Sequence, residues 1–211
     1  MQALTAPSKT TSAFDIIPQD IPIVNSDEIA KQLRAINSAS FNTQEYANRE
    51  AQALVQQHLA ERKTFAIETN LSDEETWRFL IGVKGSGYHL HLVFLTTDDL
   101  QLLQNRIEER FQRGEHYVRP DIVAERYYID LQLLRHFFQV PHTIQLIDNS
   151  VSLALVALKR EDHLEMLTEA LPNWFKEYLS LHFTPAETKP AVKDLTSIEE
   201  VRKRYQQQPK S

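Results

Sequence analysis

Short apolar runs alternate with longer amphipathic segments along most of this chain. Each run ends in polar residues, a pattern typical of strands buried in an α/β sheet. The runs predict strands at residues 1–5, 21–24, 64–68, 92–95, 142–148 and 153–158. Because strands and amphipathic segments alternate, the predicted sheet is mostly parallel.

The segments between the runs carry apolar residues at helical spacing. Leu100, Leu103, Ile107 and Phe111 share one side of a predicted helix, and Gly114 marks its end. Capping patterns mark two other helix starts, with Asn25 before Glu28 and Ser72 before Glu75. The predicted helices occupy residues 26–37, 43–62, 73–84 and 100–111, a segment that begins at Pro120, and residues 164–179, which Pro172 interrupts.

Length and composition predict one domain. A chain of 211 residues with 42% hydrophobic content can bury one substantial core, and we assign residues 1–183 to it. Residues 184–211 are rich in Pro, Lys, Glu and Gln and are predicted to form a loosely held tail.

Charge and residue usage exclude several classes of protein. The chain has no cysteine, which excludes disulfides and cysteine nucleophiles, and its net charge of −6 argues against nucleic-acid binding through the whole surface. No apolar run is long enough to span a bilayer. We therefore expect a soluble, cytoplasmic protein that binds neither nucleic acid nor membrane.

An arginine stripe borders the apolar side of the helix at 100–111. Arg106, Arg110 and Arg113 are aligned along it, and Arg126 lies on the helix that follows Pro120. Such guanidinium groups can hold phosphate, so the two helices predict an arginine-lined lid. The alternative is that the arginine stems cover apolar surface and their charged ends stay in solvent.

The start of the chain places Lys and Thr after the first strand. Ser8, Lys9, Thr10 and Thr11 stand where a phosphate-binding loop would hold a triphosphate, with Thr10 as the magnesium ligand. The loop lacks the glycines of GxxxxGK[ST], and Pro7 has no N–H to donate. An ordinary helix start is the alternative.

Polar residues also follow the second and third strands. Asp27 begins one helix, and Glu68, Thr69 and Asn70 follow a buried strand. Ligand chemistry in α/β sheets lies at such carboxyl ends. Asp27 would also stabilise the helix dipole, and the three residues after the strand would also suit a turn. A structural role and a role in ligand binding therefore both remain open for these residues.

Two further motifs are ambiguous by themselves. His89 and His91 share one face of a strand, but two histidines are more often solvent-facing or hydrogen-bonded than metal ligands. The sequence Asp148-Asn149-Ser150 is first of all a turn signal.

Taken in order, these motifs resemble the zeta-toxin-like P-loop kinases over roughly residues 1–160. The family pattern contains N-A-D-x-I-A, E-T-T-L-S, G-Y, an arginine helix, G-G-H, a second arginine and D-N-S. This chain has NSDEIA at 25–30, ETNLS at 68–72, GY at 87–88, RIEER at 106–110, GEH at 114–116, ERY at 125–127 and DNS at 148–150.

The resemblance implies a three-layer P-loop kinase fold with a helical arginine lid. It implies ATP and Mg²⁺ as cofactors, a nucleotide sugar such as UDP-N-acetylglucosamine as acceptor, and an antitoxin protein as a partner. By matched position Asp27 would be the base, and Glu68 and Thr69 would hold substrate. The other matched positions are Asn70 and His116 for substrate, Arg106, Arg110 and Arg126 for the transferring phosphoryl group, and Ser8, Lys9, Thr10 and Thr11 for the nucleotide.

Two departures from the pattern matter. Asn70 replaces the second threonine of E-T-T, and the phosphate-binding loop is short and lacks glycine. A small-molecule kinase is therefore one hypothesis, and a degenerate kinase fold that acts as a binding or regulatory module is the other.

Overall fold

The computed structural model describes residues 2–5, 17–36, 42–112 and 118–182, with side chains for all of these except 2–5 and Arg110. The strands are β1 (Gln2–Thr5), β2 (Ile23–Val24), β3 (Ala66–Glu68), β4 (His91–Thr96), β5 (Thr143–Asp148), β6 (Ala154–Arg160) and β7 (His163–Met166). The helices are α1 (Ser26–Ile36), α2 (Thr43–Ala60), α3 (Glu74–Gly85), α4 (Leu100–Gln112), α5 (Pro120–His136) and α6 (Asn173–Leu179). The six strands predicted from the apolar runs are confirmed.

These strands form one sheet in the order β2-β3-β1-β4-β5-β6-β7. The first five strands in this order pair in parallel, whereas β6 is antiparallel to β5 and β7 is antiparallel to β6. The α/β class and the mostly parallel sheet are confirmed. Because parallel strands end at one edge, the residues that follow β2, β3, β4 and β5 are brought together there.

Core residues lie on both faces of the sheet. Along β4, Phe94 belongs to a large cluster with Trp77 and Trp174, while Val93 and Leu95 point the opposite way. Helices α2, α3, α5 and α6 contribute to the large cluster. On the other face the described residues include a smaller cluster that contains Ile17 and Ile147. Apolar side chains therefore pack on both faces of the sheet, so the predicted three-layer arrangement is supported in part.

Helix starts largely follow the predicted capping chemistry, with one correction. Asn25 caps α1 as predicted, because its Oδ1 accepts the N–H groups of Asp27 and Glu28. The cap of α3 is Asp73 and not Ser72, since the Asp73 carboxylate accepts the N–H of Thr76 at 2.7 Å. A carboxylate is a strong acceptor at the positive end of a helix.

The helix predicted for 164–179 is wrong in its first half. Residues His163–Met166 form the edge strand β7, paired with β6 after a tight turn in which Glu161 has a φ of 50°. Pro172 is the N-cap residue of α6, which occupies only Asn173–Leu179. The neighbouring strand outweighs the helical spacing, and proline confines the helix to the residues on its carboxyl side. The predicted tail at 184–211 lies outside the described residues.

Candidate active site

The carboxyl edge of the sheet gathers polar residues from four strand ends. Asn25 follows β2, Glu68 ends β3, Thr97 follows β4 and Asn149 follows β5. Several helices also begin here, so their N–H groups point toward the same edge. This edge is the place where an α/β sheet holds an anionic ligand.

Asn25 joins two of these strand ends. Its side-chain oxygen accepts the N–H groups of Asp27 at 2.8 Å and Glu28 at 3.1 Å, which caps α1. Its side-chain nitrogen donates to the Glu68 carboxylate at 2.6 Å. One half-buried amide therefore ties Glu68 to the start of the helix that carries Asp27.

Asp27 lies in the first turn of α1 and is exposed. Its carboxylate accepts a bond of 3.3 Å from the side-chain amide of Gln44 on α2. The side-chain oxygen of Gln44 in turn accepts a hydrogen bond from the guanidinium of Arg34. Asp27 is thus accessible to solvent while a neighbouring helix holds its orientation.

Thr69 and Asn70 form the turn after β3. Thr69 is half-buried and its hydroxyl donates to the Asn70 carbonyl at 3.1 Å, while the Asn70 side chain is exposed. This bond is ordinary turn chemistry. The substrate-binding role expected for the two residues stays a prediction.

The predicted lid helices are present, and their arginines differ in environment. On α4, Arg106 is half-buried, and its Nη1 is buried with no hydrogen-bond partner among the described residues. On α5, Arg126 is exposed. A buried N–H without an acceptor costs about 1–3 kcal/mol, so the Arg106 site favours an added anion. The convergence of these arginines on Asp27 and Glu68 stays a prediction.

Several expected site residues lie outside the described part. These are the nucleotide-binding residues Ser8, Lys9, Thr10 and Thr11, together with His116 and the side chain of Arg110. Within the described ranges, no group of three or more His, Asp or Glu side chains is arranged to hold a metal ion. Mg²⁺ in phosphoryl-transfer sites takes few protein ligands beside substrate phosphates. The expected magnesium ligand, Thr10, is not among the described residues.

The loop after β4 ties the starts of α4 and α6 to the sheet, a connection that the sequence did not reveal. The Asp98 carboxylate accepts the N–H groups of Asn173 and Trp174 at 2.7 Å each, which caps α6. The neighbouring Asp99 carboxylate accepts the N–H of Leu102 at 3.0 Å, which caps α4. Both carboxylates therefore have a structural task.

The Asp148-Asn149-Ser150 turn is attached to this loop. The Asp148 carboxylate accepts the N–H and hydroxyl of Ser150 and the indole N–H of Trp174. The Ser150 hydroxyl also accepts the N–H of Asp98. The turn interpretation of this motif is confirmed.

Tyr127 fixes α5 against the same loop. Its hydroxyl donates to the Thr97 carbonyl at 2.9 Å. Burial, reinforced by the negative charge of Asp98, raises the pKa of Tyr127 well above its usual range. The phenol is therefore a permanent donor, and it anchors α5 to this loop.

A surface cavity of about 530 Å³ lies at the opposite edge of the sheet. It lies between the ends of α2 and α3 and is lined by Gln56, Leu59, Arg62, Phe79, Gly82, Val83, Ser86 and Tyr88. These helix ends precede β3 and β4, so the cavity is remote from Asp27 and Glu68. It is not part of the candidate site.

Three histidines, His89, His91 and His142, lie where β4 and β5 begin, also at this opposite edge. His89 stacks on His142 with ring centroids 4.0 Å apart and lies 5.1 Å from the His91 ring. Nδ1 of His142 accepts the backbone N–H of Leu90 at 3.0 Å. The rings pack against each other at the edge where β4 and β5 begin.

Comparison with known proteins was made by sequence and by structure. No protein-family model matches the chain. An uncharacterised protein of Haemophilus influenzae is 27% identical over 105 residues, which cover 50% of this chain and 74% of that protein.

In the part of the chain that the structure describes, no helix is long and apolar enough to cross a membrane.

Solved structures share the fold. One belongs to the PezAT chromosomal toxin–antitoxin system of Streptococcus pneumoniae, with a TM-score of 0.54 and 15% identity over 72% of this chain and 70% of that chain. The structure of AvrRxo1-ORF1:AvrRxo1-ORF2 with sulphate ions has a TM-score of 0.61 and 14% sequence identity to this chain. The structure of the same complex with ATP has a TM-score of 0.60 and 13% sequence identity. Both alignments cover 79% of this chain and 60% of that chain. The chain therefore shares the fold of the PezAT and AvrRxo1 structures, and this likeness agrees with the resemblance noted from its ordered motifs.

Proposed function

We propose that this protein is an ATP-dependent small-molecule kinase that phosphorylates a hydroxyl group of a nucleotide sugar of the UDP-N-acetylglucosamine type. The observation that carries the proposal is the bond of 2.6 Å between Asn25 and Glu68, because it ties a carboxylate at one strand end to the helix that carries Asp27 at the next. The buried Nη1 of Arg106, which has no hydrogen-bond partner in the part of the chain that the structure describes, supports an anionic ligand. Asn25 and Glu68 lie at the carboxyl ends of the strands, where open α/β sheets bind ligands.

The proposed reaction is an in-line phosphoryl transfer. The Asp27 carboxylate takes the proton of the acceptor hydroxyl as that oxygen forms a bond to the γ-phosphorus of ATP. The bond between the γ-phosphorus and the β,γ-bridging oxygen breaks, and ADP leaves with that electron pair. In such reactions the protein supplies mainly position and positive charge.

The other residues have binding roles in this proposal. Glu68 and Thr69 hold the acceptor, with Asn70 and His116 as further contacts, while Arg106, Arg110 and Arg126 stabilise charge on the transferring group. Lys9 and the hydroxyls of Ser8, Thr10 and Thr11 would hold the ATP phosphates, and Thr10 would hold Mg²⁺, which neutralises phosphate charge when bound. An antitoxin protein is a proposed partner, since the PezAT structure belongs to a toxin–antitoxin system.

One experiment tests the proposal directly. The protein is titrated calorimetrically with ATP and Mg²⁺ and then incubated with UDP-N-acetylglucosamine, and a phosphorylated sugar is sought by ³¹P NMR. Asp27→Asn should lower the rate of product formation about 10²- to 10⁴-fold, whereas Asp20→Asn, at another exposed aspartate, should leave it unchanged. Absence of both nucleotide binding and product at millimolar ATP contradicts the proposal.

A second candidate function is a degenerate kinase fold that acts as a binding module. The missing glycines of the phosphate-binding loop favour it, because fewer N–H groups then surround the triphosphate. In that case Asp27→Asn leaves ligand binding unchanged, and no phosphorylated product forms with the unmodified protein.

A further inference from the structure

We infer that Asn25 is a positioning residue for the nucleotide-sugar acceptor, which it serves by fixing the Glu68 carboxylate relative to the helix that carries Asp27. This inference rests on the proposed function and deepens it. Asn25 itself touches Glu68 and the backbone of α1 and needs no contact with the reacting atoms.

Both ends of the Asn25 amide are used. The oxygen accepts two backbone N–H groups at the start of α1, which orients the side chain, and the nitrogen then points at the Glu68 carboxylate 43 residues away in sequence. A bond of 2.6 Å to an ionised group is short and charge-assisted. Rotation of Glu68 would break that bond, so the amide holds one carboxylate rotamer.

The choice of asparagine is informative because capping does not require it. Ser, Asp and Asn cap helices about equally well, and Thr only slightly less. Aspartate would place a second carboxylate against Glu68, and serine or threonine offers only a hydroxyl on a shorter side chain in place of the NH₂ group. Among these capping residues, only asparagine supplies both the cap and an NH₂ donor. The residue type is thus explained by Glu68 and not by the helix.

Asn42 provides a matched comparison within the same chain. It also stands directly before a helix and donates to a carboxylate, that of Glu45, at 2.8 Å. Its bond, however, spans only three residues on an exposed surface and joins no two strand ends. Loss of the Asn42 donor should therefore leave ligand binding and transfer unchanged.

The test compares three variants with the unmodified full chain. Asn25→Ser keeps a cap and removes the donor, Asn25→Asp keeps a cap and adds repulsion, and Asn42→Ser is the control. Loss of a charge-assisted hydrogen bond should raise the KM for UDP-N-acetylglucosamine about 10- to 100-fold in Asn25→Ser, and further in Asn25→Asp. The KM for ATP and the melting temperature of Asn25→Ser should change little, which a merely structural role would not predict.

An NMR measurement tests the link without any enzyme assay. The side-chain amide signal of Asn25 should shift in Glu68→Gln, because the amide then loses its charged acceptor. If the unmodified protein transfers phosphate but Asn25→Ser matches Asn42→Ser in KM, the positioning inference is overturned while the proposed function stands. If the unmodified protein forms no product, the proposed function fails and the inference fails with it, even where the amide shift is present.

Discussion

The two edges of the sheet use polar side chains in opposite ways. At the amino edge, cationic side chains donate to backbone carbonyls: Arg62 to Ser86 at 2.9 Å, Lys84 to Val140 at 2.8 Å and Lys159 to Pro141 at 2.7 Å. At the carboxyl edge, side-chain oxygens accept backbone N–H groups, as Asp98 does at the start of α6. In these contacts the amino edge uses cationic side chains and the carboxyl edge uses carboxylates.

Helix polarity explains this difference. In this sheet the helices run against the parallel strands, so their carbonyl ends meet at the amino edge and their N–H ends at the carboxyl edge. Cations and anions are placed accordingly. Acidic residues at the carboxyl edge are therefore not evidence of chemistry by themselves, because Asp73, Asp98 and Asp99 are used as caps.

Asp27 stands apart from these capping carboxylates. In the described structure its carboxylate receives a side-chain bond from Gln44, while Asn25 supplies the cap of the helix. An acid that the helix does not need for capping is the better candidate for a general base. The comparison thus separates structural from functional carboxylates at the carboxyl edge, and four predictions test the contrast between the two edges.

The largest effect is expected for Asp27→Asn. Removal of a general base should lower the rate of phosphoryl transfer about 10²- to 10⁴-fold, because the acceptor hydroxyl then loses its proton acceptor. The free energy of unfolding should fall by about 0.3–1 kcal/mol at most, the usual contribution of an acid in a first helical turn. Product formation and urea denaturation measure the two quantities. A large loss of stability with an unchanged rate would falsify the assignment.

Next in size is the truncation of a core residue at the amino edge. Phe65 is fully buried, stacks on His58 with centroids 5.2 Å apart and meets Tyr88 edge-on. Phe65→Ala should lower the free energy of unfolding by about 3–5 kcal/mol, since it leaves a cavity. Phe111→Ala, at a side chain that is 47% exposed, should have a much smaller effect in the same urea titration. Similar losses would show that the amino edge is not tightly packed.

Asp98→Ala should have an intermediate effect on stability. It removes the acceptor of two N–H groups at the start of α6, and loss of a helix cap costs about 0.5–2 kcal/mol. Thermal unfolding measures this loss. Asp20→Ala is the exposed control. An equal loss in both variants would show that Asp98 is not a working cap.

The smallest effect is expected from acidification of the amino edge. Burial, reinforced by the charges of His89 and Lys84, lowers the pKa of His142, and burial with the charges of His89 and His142 lowers that of His91. Lys159 also faces His142 and favours its neutral form, while Glu161 opposes this. As the pH falls below about 6.5, the unfolded chain takes up protons before the folded chain does, so stability decreases with acid.

A single substitution isolates this pH dependence. His142→Asn keeps an oxygen that can accept the Leu90 N–H but cannot titrate near neutrality. The variant should therefore lose less stability than the unmodified protein between pH 6.5 and pH 5, as followed by urea denaturation. Identical pH profiles would show that His142 does not contribute to the dependence.

Local patterns predicted much of the fold. Apolar runs located the six strands, and Asn25 and Pro120 correctly marked helix starts, because these features depend on neighbours within a few residues. The prediction was wrong where a distant neighbour decided the outcome. The spacing at 163–166 favours a helix, but β6 offers a strand to pair with, and the backbone groups take that partner.

The sequence by itself determined the order of elements, the acidic and basic positions and the set of motifs that resembles a kinase family. Only the tertiary structure decided which polar groups meet. The pairing of Asn25 with Glu68 spans 43 residues, and that of Asp98 with the start of α6 spans 75 and 76 residues. Parallel strands bring such residues to one edge whatever their distance in sequence, and no pattern along the chain carries that information.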